Sequence, residues 1–391
     1  MDNFSFYIPT RFEFGAGAEQ KAGEMIRSLG GTKVLVHYGS GSAVKSGLIG
    51  RVTESLDAAG LAHTLLGGAL PNPRDDKVYE GIELGRKFGA DFILAVGGGS
   101  AIDSAKAIAA GIPYEGDFWD FFSGKALPQK AVPLGTVLTL AAAGSESSNS
   151  CVIMRKETLT KRGLNVELNR PQFALMNPAL TYTLPAYQTA CGATDIMAHI
   201  LERYFTNTTD VDVTDRLAEG LMLTVIHAIR QALKKPDDYD ARAQLMWAGT
   251  LAHNNTVGVG RVGDWASHQI EHELSGLYDV AHGAGLAVVL PAWMRFTLPH
   301  NPARFAQLAT RVWGASMDFD HPERTALEGI ERFETFLRSI GMPVTLTELG
   351  AKREDIAFLA QKTKRGPDGK TGNFVKLDTP DIEAILRIAD R

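Results

Sequence analysis

DFILAVGGGSAIDSAK, residues 91–106, joins a short apolar run to three consecutive glycines and a helical pattern. An apolar run that ends at glycines and leads into a helix is typical of a buried parallel strand in an α/β domain. Glycines at such a junction let the backbone approach a ligand closely, and the free N–H groups that begin the helix bind phosphate. The pattern is not G-x-G-x-x-G, and a plain tight turn is the alternative, but it favours a phosphate-binding turn.

The same order of strand, glycine turn and helix occurs earlier in the chain. Lys33–Tyr38 is a β-branched apolar run, a small-residue turn follows it, and a helical pattern resumes over Leu48–Ala59. Further strand candidates are Leu61–Leu66 and the start of Pro133–Ser148. This alternation predicts a doubly wound, Rossmann-like α/β domain. The polar stretch 152–173 is expected to be an exposed connection.

The turn after Tyr38 bears on the choice of cofactor. Dinucleotide-binding folds hold the ribose 2′-hydroxyl with an acidic residue near the end of a strand. Here the strand is followed by Gly39, Ser40, Gly41 and Ser42, with no acid. A 2′-phosphate would meet hydroxyl donors rather than repulsion, so the turn favours NADP(H) over NAD(H). Farther along, Thr139 either lines the cofactor or belongs to a hydroxylated strand edge.

Strand signals disappear after residue 185, and helical periodicity takes over. We therefore predict two domains: residues 1–185 form the α/β dinucleotide-binding domain, and residues 186–391 form an all-helical domain. Composition fits a globular protein, with 45% apolar and 22% charged residues. The net charge of −5 argues against binding to nucleic acid or to an anionic membrane. Two cysteines and no transmembrane or signal pattern lead us to expect a cytoplasmic protein.

Polar pairs on apolar helical patterns form the second cluster of interest. Asp195 and His199 are four residues apart, as are His268 and His272, so each pair shares one face of a helix. His282 stands at the start of the apolar run that follows. Separate, hydrogen-bonded core side chains are the alternative. Together, one carboxylate and up to four imidazoles suit a divalent metal such as Fe²⁺, Zn²⁺ or Mn²⁺, which would polarise a substrate oxygen while a nicotinamide exchanges hydride.

We expected Asp264 to cap the helix that carries His268 and His272, and Gly276 to end it. The surrounding apolar wall, for which Trp265 and Phe205 are candidates, favours short-to-medium aliphatic aldehydes.

Several motifs, in this order, resemble the iron-containing, group III alcohol dehydrogenases. They run almost from end to end: PTRFEFGAGA at 9–18, PNP at 71–73, GGGSAIDSAK at 97–106, PLGTVLTL at 133–140, TYTLP at 181–185, D-x-x-x-H at 195–199, and WASHQIEHELSG with AHGAGLAVVLPAW at 265–293. The sequence is most similar to the butanol-dehydrogenase-like, NADPH-dependent aldehyde reductase branch. The resemblance implies a Rossmann-like domain, an all-helical metal-binding domain and a homodimer.

The resemblance also implies roles for individual residues. The metal ligands would be Asp195, His199, His268 and His282, and His272 would be a catalytic proton-relay or positioning group. Phosphate contacts would fall on Gly98, Gly99, Ser100 and Asp103, and the other cofactor contacts on Asn72, Thr139, Leu140, Lys161 and Leu184. In NAD-preferring relatives an aspartate stands at the position of Gly39, which agrees with the NADP(H) prediction. The turn at 143–146 departs from the common T-G-S-E in having Ala143, and Ser148 stands where asparagine is frequent.

The sequence thus predicts a metal-dependent, NADP(H)-using alcohol dehydrogenase or aldehyde reductase that acts on butanol-type substrates. One alternative is an NAD-using, metal-dependent lyase similar to dehydroquinate synthase, which would need basic residues around a polyanionic substrate. The flanking residues Ile270, Leu274 and Leu277 disfavour it. The other alternative is a metal- or nucleotide-binding protein without turnover.

Overall fold

The structure is a computed structural model that describes residues 1–39 and 41–391. The chain separates into two compact units. The α/β unit contains Tyr7–Leu184 and Asp237–Asn254, and the helical unit contains Met1–Phe6, Pro185–Pro236 and Asn255–Arg391. The segment 237–254, predicted to lie in the second domain, therefore clusters with the α/β unit, and residues 1–6, predicted to lie in the first, cluster with the helical unit.

The strands of the described chain all belong to the α/β unit. Their bounds are β1 Arg11–Phe14, β2 Lys33–Gly39, β3 Ala62–Ala69, β4 Phe92–Gly97, β5 Leu134–Leu138, β6 Ser150–Arg155, β7 Thr160–Asn165 and β8 Phe173–Met176. Six of them form one parallel sheet in the order β1-β8-β5-β4-β2-β3, and β6 pairs with β7 as an antiparallel hairpin. Every residue of β4 and β5 is buried, as expected for central strands covered on both faces.

The order of the parallel strands places a switch in winding direction between β2 and β4. From β2 the chain moves outward to β3, whereas from β4 it moves the other way to β5. Ligands of open α/β sheets bind at the carboxyl ends of the strands that flank such a switch. Gly39 ends β2 and Gly97 ends β4, so two of the sequence's glycines lie at the carboxyl ends of these strands.

The helices account for most of the remaining chain. In chain order they are α1 Ala22–Ser28, α2 Ser42–Lys45, α3 Leu48–Ala58, α4 Asp75–Phe88, α5 Gly99–Gly111, α6 Trp119–Phe122, α7 Ala186–Tyr204, α8 Asp212–Lys234, α9 Tyr239–His253, α10 Ala266–Tyr278, α11 His282–Thr297, α12 Pro302–Arg311, α13 Pro322–Ser339, α14 Leu346–Leu349, α15 Ile356–Lys362 and α16 Thr379–Ile388. The predicted fold class, a parallel-sheet α/β domain followed by an all-α domain, is confirmed.

Helix α9 belongs to the α/β unit because its side chains pack on the start of the sheet and on the turn after β5. Trp247 meets the ring of Phe12 edge-on at 5.2 Å. The Thr250 hydroxyl donates to the buried Glu146 carboxylate at 2.5 Å. Gly144, at φ +61°, has no room for a Cβ, which would lie 2.6 Å from the Gly249 carbonyl oxygen.

Helices α7 and α11 are the most buried of the helical unit. From Thr189 to Tyr204 every residue of α7 is buried, including its polar residues. Across the described residues, the longer helices all lack the uninterrupted apolar length that crossing a bilayer requires. A buried ion network also stabilises this unit: Asp215 accepts hydrogen bonds from the Arg304 guanidinium at 2.5 and 2.6 Å and forms an ion pair with Arg261 at 2.8 Å.

Some local predictions were wrong. Residues 152–173 are not simply an exposed connection, because they contain most of the β6–β7 hairpin, in which Ile153 and Leu164 are buried. Helix α10 ends at Tyr278 with Asp279 in the left-handed region, so Gly276 lies inside the helix. Trp265, rather than Asp264, occupies the N-cap position of α10.

Candidate metal centre and dinucleotide site

Three helices of the helical unit bring the predicted metal ligands together. Helix α7 carries Asp195 and His199, α10 carries His268 and His272, and α11 begins at His282. One donor set is Asp195, His268 and His282, which offer one oxygen and two ring nitrogens within 4.8 Å of one another. Three of the predicted residues, from distant parts of the chain, therefore lie close together.

The donor spacing fits a first-row divalent ion. The Nε2 of His282 lies 3.7 Å from Asp195 Oδ1, and His199 Nδ1 lies 3.6 Å from the same oxygen. Two ligands in a tetrahedral site with bonds of 2.0–2.2 Å are about 3.4 Å apart. The Nε2 of His268 is buried and has no hydrogen-bond partner among the described residues. A buried imidazole nitrogen in that state is costly unless a ligand engages it, so these residues fit a metal ion.

The remaining two histidines flank this donor set. His199 is not among these three residues, but its ring stacks on His268 with centroids 4.8 Å apart. The ring of His272 lies 5.6 Å from that of His282, and His272 forms a second donor group with His282 and Glu271. Sequence spacing left open which of His268 and His272 is a ligand, and in the structure the two histidines belong to different donor groups.

Two glycines allow α11 to approach its neighbours closely. A Cβ on Gly283 would lie 2.0 Å from the carbonyl oxygen of Cys191 on α7. A Cβ on Gly285 would lie 2.6 Å from Oε1 of Glu271 on α10. Only glycine fits at such contacts, because any larger residue would push α11, and with it His282, away from the centre.

Trp265 forms a wall beside the imidazoles. Its ring lies 5.3 Å from His268 and 6.1 Å from His199, and the Arg203 guanidinium lies 4.6 Å from the ring centroid on its face. On another side, Trp265 lines a cavity of about 400 Å³ with the polar loop 364–376. Phe205, the other predicted wall residue, is instead fully buried in an aromatic core with Trp293, Phe305 and Phe374.

Asp264, which precedes this wall, anchors the polar loop. Its carboxylate accepts the backbone N–H groups of Asn373 and Phe374 at 2.6 and 2.7 Å. Burial, with the nearby charge of Glu202, raises the pKa of Asp264 to about 7.

In the α/β unit, the turn from β4 to α5 has the geometry of a phosphate site. Gly98 takes the N-cap position of α5, and Gly98, Gly99 and Ser100 are partly exposed. A Cβ on Gly98 would lie 2.9 Å from the Cβ of Leu140, and one on Gly99 would lie 3.0 Å from the Cβ of Ala143. The turn therefore packs against the segment after β5, which contains Thr139 and Leu140. The turn leads into a helix of thirteen residues, and the N–H groups at the start of such a helix can bind an anion.

Asp103 and the buried Lys106, both on α5, connect the helix that follows this turn to the segment after β5 and to β6. Asp103 accepts the Ser145 hydroxyl at 2.5 Å and the Val152 N–H at 2.9 Å. The ammonium of Lys106 donates to the same Ser145 hydroxyl at 2.8 Å and to the Ser150 carbonyl at 2.7 Å. Burial raises the pKa of Asp103 and lowers that of Lys106. Asp103 therefore holds the loop after β5 through one carboxylate oxygen and strand β6 through the other.

The other predicted cofactor residues lie in separate parts of the α/β unit. Gly39 ends β2 and Ser42 begins α2, while Ser40 lies outside the described residues. Lys161, on the β6–β7 hairpin, is buried and donates to the side-chain oxygen of Asn72 at 3.0 Å. Leu184 is partly exposed at the end of this unit's first segment.

Sequence reasoning missed two buried carboxylates of the metal centre, Glu202 and Glu271. Glu202 Oε1 lies 2.8 Å from His268 Nδ1, and Glu271 accepts a hydrogen bond from His282 Nδ1. The signal was present in the sequence, because each glutamate follows a predicted histidine by three residues, in His199-x-x-Glu202 and His268-x-x-Glu271. Both lie on helical faces where a buried carboxylate needs a partner.

Comparison with known proteins identifies the class of enzyme. Residues 9–178 match the family described as iron-containing alcohol dehydrogenase, and residues 189–389 match the C-terminal domain of the Fe-containing alcohol dehydrogenase family. The chain therefore belongs to the iron-containing alcohol dehydrogenases, and the resemblance seen in its motifs is confirmed. Alcohol dehydrogenase or aldehyde reductase chemistry, with a divalent metal and a nicotinamide cofactor, is what this family supports.

Individual relatives cover nearly the whole chain. The probable NADH-dependent butanol dehydrogenase 2 of Bacillus subtilis is 41% identical over 99% of both chains. The NADPH-dependent aldehyde reductase YqhD of Escherichia coli is 38% identical over 93% of both. The crystal structure of NADH-dependent butanol dehydrogenase A from Thermotoga maritima aligns with a TM-score of 0.97 and 41% identity, covering 100% of this chain and 99% of that one. These relatives differ in the nicotinamide they use.

Proposed function

We propose that the protein is a metal-dependent, NADP(H)-using alcohol dehydrogenase or aldehyde reductase of short-to-medium aliphatic substrates. The observation that carries this proposal is the convergence of Asp195, His268 and His282 on three buried helices. The proposed ligands are these three residues together with His199. Similarity to butanol dehydrogenases and to an aldehyde reductase supports butanol-type substrates.

The chain's own residues would bind, orient and protonate the reactants. A divalent ion held by these ligands would act as a Lewis acid on the substrate oxygen, where charge develops during hydride transfer. His272 is buried beside His282 and is the proposed proton-transfer group. Trp265 supplies an apolar surface next to His268, which favours an aliphatic chain over a charged one.

Cofactor phosphates are proposed to bind at Gly98, Gly99 and Ser100, where the helix N-terminus and the two glycines without side chains favour an anion. Asn72, Thr139, Leu140, Lys161 and Leu184 are proposed to complete the cofactor site, with Asp103 supporting the phosphate turn. The proposed preference for NADP(H) rests on the end of β2, where Gly39 offers no carboxylate to a 2′-hydroxyl. Homodimerisation remains a prediction.

The test of this function is metal content measured together with NADPH oxidation on butanal, before and after chelation. We expect close to one equivalent of metal per chain, loss of activity on chelation, and recovery with Fe²⁺, Zn²⁺ or Mn²⁺. Full activity of metal-free protein would contradict the Lewis-acid role and leave the histidines with structural or proton-transfer roles. Tight NADPH binding without aldehyde-dependent oxidation would indicate a binding protein instead.

Cofactor preference is tested by the variant Gly39→Asp. A Cβ at residue 39 meets only the Ala69 carbonyl oxygen, at an ordinary 3.7 Å, so the backbone there accepts a Cβ. Its carboxylate would repel a 2′-phosphate, and even about 1.4 kcal/mol of repulsion lowers the NADPH-to-NADH ratio of kcat/KM tenfold. Gly50→Asp is the matched control, because it adds the same charge at an exposed helical position with no neighbour within 4 Å. A wild type that prefers NADH, or a ratio unchanged by Gly39→Asp, would refute the preference.

A further inference from the structure

We propose that Glu202 and Glu271 are positioning residues that turn the Nε2 atoms of His268 and His282 toward the metal. The inference rests on the proposed metal-dependent function and adds residues that direct the ligands without binding the ion. It is carried by a pattern of contacts that joins α7, α10 and α11.

The Glu202 carboxylate accepts three hydrogen bonds from the start of α10. Its Oε1 accepts from the Nδ1 of His268 at 2.8 Å and from the backbone N–H of His268 at 3.0 Å, and its Oε2 accepts from the backbone N–H of Trp265 at 2.5 Å. Trp265 has φ +70°, a conformation that costs a bulky residue free energy and persists only when its surroundings hold it. One carboxylate therefore fixes both the strained turn and the imidazole that follows it.

These contacts determine which nitrogen of His268 carries the proton. An ionised carboxylate only accepts hydrogen bonds, so the Nδ1 that faces Glu202 must donate. A neutral imidazole has one N–H group, and the lone pair is then on Nε2. This is the nitrogen that is buried with no hydrogen-bond partner in the described chain. Glu202 thus presents His268 as a ligand through Nε2.

Glu271 does the same for His282. Its fully buried carboxylate accepts from His282 Nδ1, while His282 Nε2 faces Asp195 at 3.7 Å. The lack of a side chain at Gly285 provides the space for this carboxylate, since a Cβ there would lie 2.6 Å from Glu271 Oε1. Both imidazoles therefore have the arrangement in which a second carboxylate sets the tautomer and the ring orientation of a metal ligand.

The two contacts link the three helices in order, from α7 to α10 and from α10 to α11. A glutamate of α7 orients the histidine of α10, and a glutamate of α10 orients the histidine of α11. If the role of these glutamates were purely structural, replacing them would change metal affinity only as far as it destabilised the fold. The positioning role predicts a specific loss of affinity, because residues in such positions typically contribute 10–100-fold.

The test compares Glu202→Gln and Glu271→Gln with Glu219→Gln. Glu219 is the matched control because it is a buried glutamate of the same unit that accepts from Tyr204 and Arg311, away from the site. Zn²⁺ and Co²⁺ dissociation constants of the metal-free proteins are measured by competition with a chromophoric chelator, with melting curves to verify folding. We expect affinities 10–100-fold weaker for Glu202→Gln and Glu271→Gln, and little change for Glu219→Gln.

A second measurement does not depend on whether the glutamate variants fold. Two-bond ¹⁵N–¹H correlation spectra of the wild-type, metal-free protein with labelled histidine report the tautomer of each imidazole, and His268→Gln and His282→Gln assign the signals. We expect protonated Nδ1 and unprotonated Nε2 for both residues. The opposite tautomer, or equal affinities in all three glutamine variants, would overturn the positioning role. A wild type that binds no metal would instead contradict the proposed function.

Discussion

The variant Gly283→Ala should disturb the metal centre although residue 283 binds nothing. Its added Cβ would lie 2.0 Å from the carbonyl oxygen of Cys191, whereas real Cβ atoms essentially never approach another heavy atom within 3.0 Å. Because the obstacle is backbone on α7, the start of α11 must move by about 1 Å. Metal–ligand distances tolerate only about 0.2 Å. His282, the preceding residue, would therefore leave its position.

Two quantities follow from this displacement. Overpacking of a dense core costs about 1–3 kcal/mol, which corresponds to a fall in Tm of about 2–12 °C for a unit of this size. Loss of one well-placed ligand should also weaken Zn²⁺ binding at least as much as loss of an orienting residue, by about tenfold or more. Scanning calorimetry and chelator competition measure the two effects separately.

Gly220→Ala is the control for this experiment. Gly220 lies on α8 of the same unit, is exposed, and has no heavy atom within 4 Å of its added Cβ. Because alanine favours the helix over glycine, this variant should gain about 0.5–1 kcal/mol. If Gly283→Ala kept the wild-type Tm and metal affinity, the close contact between α11 and α7 would not be what places His282, and the reasoning would fail.

Two further predictions concern stability and pH. Burial of the ring lowers the pKa of His37 to about 4 and outweighs the hydrogen bond to the Leu66 carbonyl, which raises it. The free energy of unfolding therefore falls by about 3 kcal/mol as pH falls from 6.5 to 4. Urea unfolding of His37→Gln should lack this part of the pH dependence. Parallel curves of stability against pH for the two proteins would contradict the prediction. Burial opposes ionisation of Asp215, but the hydrogen bonds and charge of Arg304 outweigh it and lower the pKa of Asp215. Asp215→Asn should cost about 3–5 kcal/mol near pH 7, and its deficit in thermal or urea unfolding should shrink below pH 4, where the wild-type carboxylate is protonated; a deficit independent of pH would show that charge is not the cause.

The parallel sheet and the helical unit could be predicted because local patterns report them directly. The run before Gly97 is apolar throughout, and every residue of β4 is buried. The place of 237–254 could not be predicted, because its helical pattern says nothing about the surface on which it packs. That surface is set by Trp247 against Phe12 and by a glycine turn that leaves no room for a Cβ.

The β6–β7 hairpin was missed for a similar reason. Its second strand carries Lys161 and Arg162, which are typical of an exposed connection, yet Lys161 is buried because Asn72 accepts from it. Asn72 is 89 residues away and itself has φ +54°, so no local pattern reveals the pair. A charged residue in a polar run indicates exposure only when the fold supplies no partner.

In the candidate metal centre, residue spacing predicts which side chains share a helical face but not how the imidazoles are oriented. Intervals of four residues place Asp195 with His199, and His268 with His272, on shared helical faces, but they do not indicate which imidazole nitrogen points inward. That choice depends on the glutamates three residues after His199 and His268, each of which contacts a histidine on a different helix. An imidazole oriented by another helix is a competent ligand only when both helices are docked. Metal binding should therefore stabilise the packing of α7, α10 and α11 together, by an amount that grows with metal concentration over its dissociation constant. Weakening any one of these helix contacts should lower affinity even where all the ligands remain.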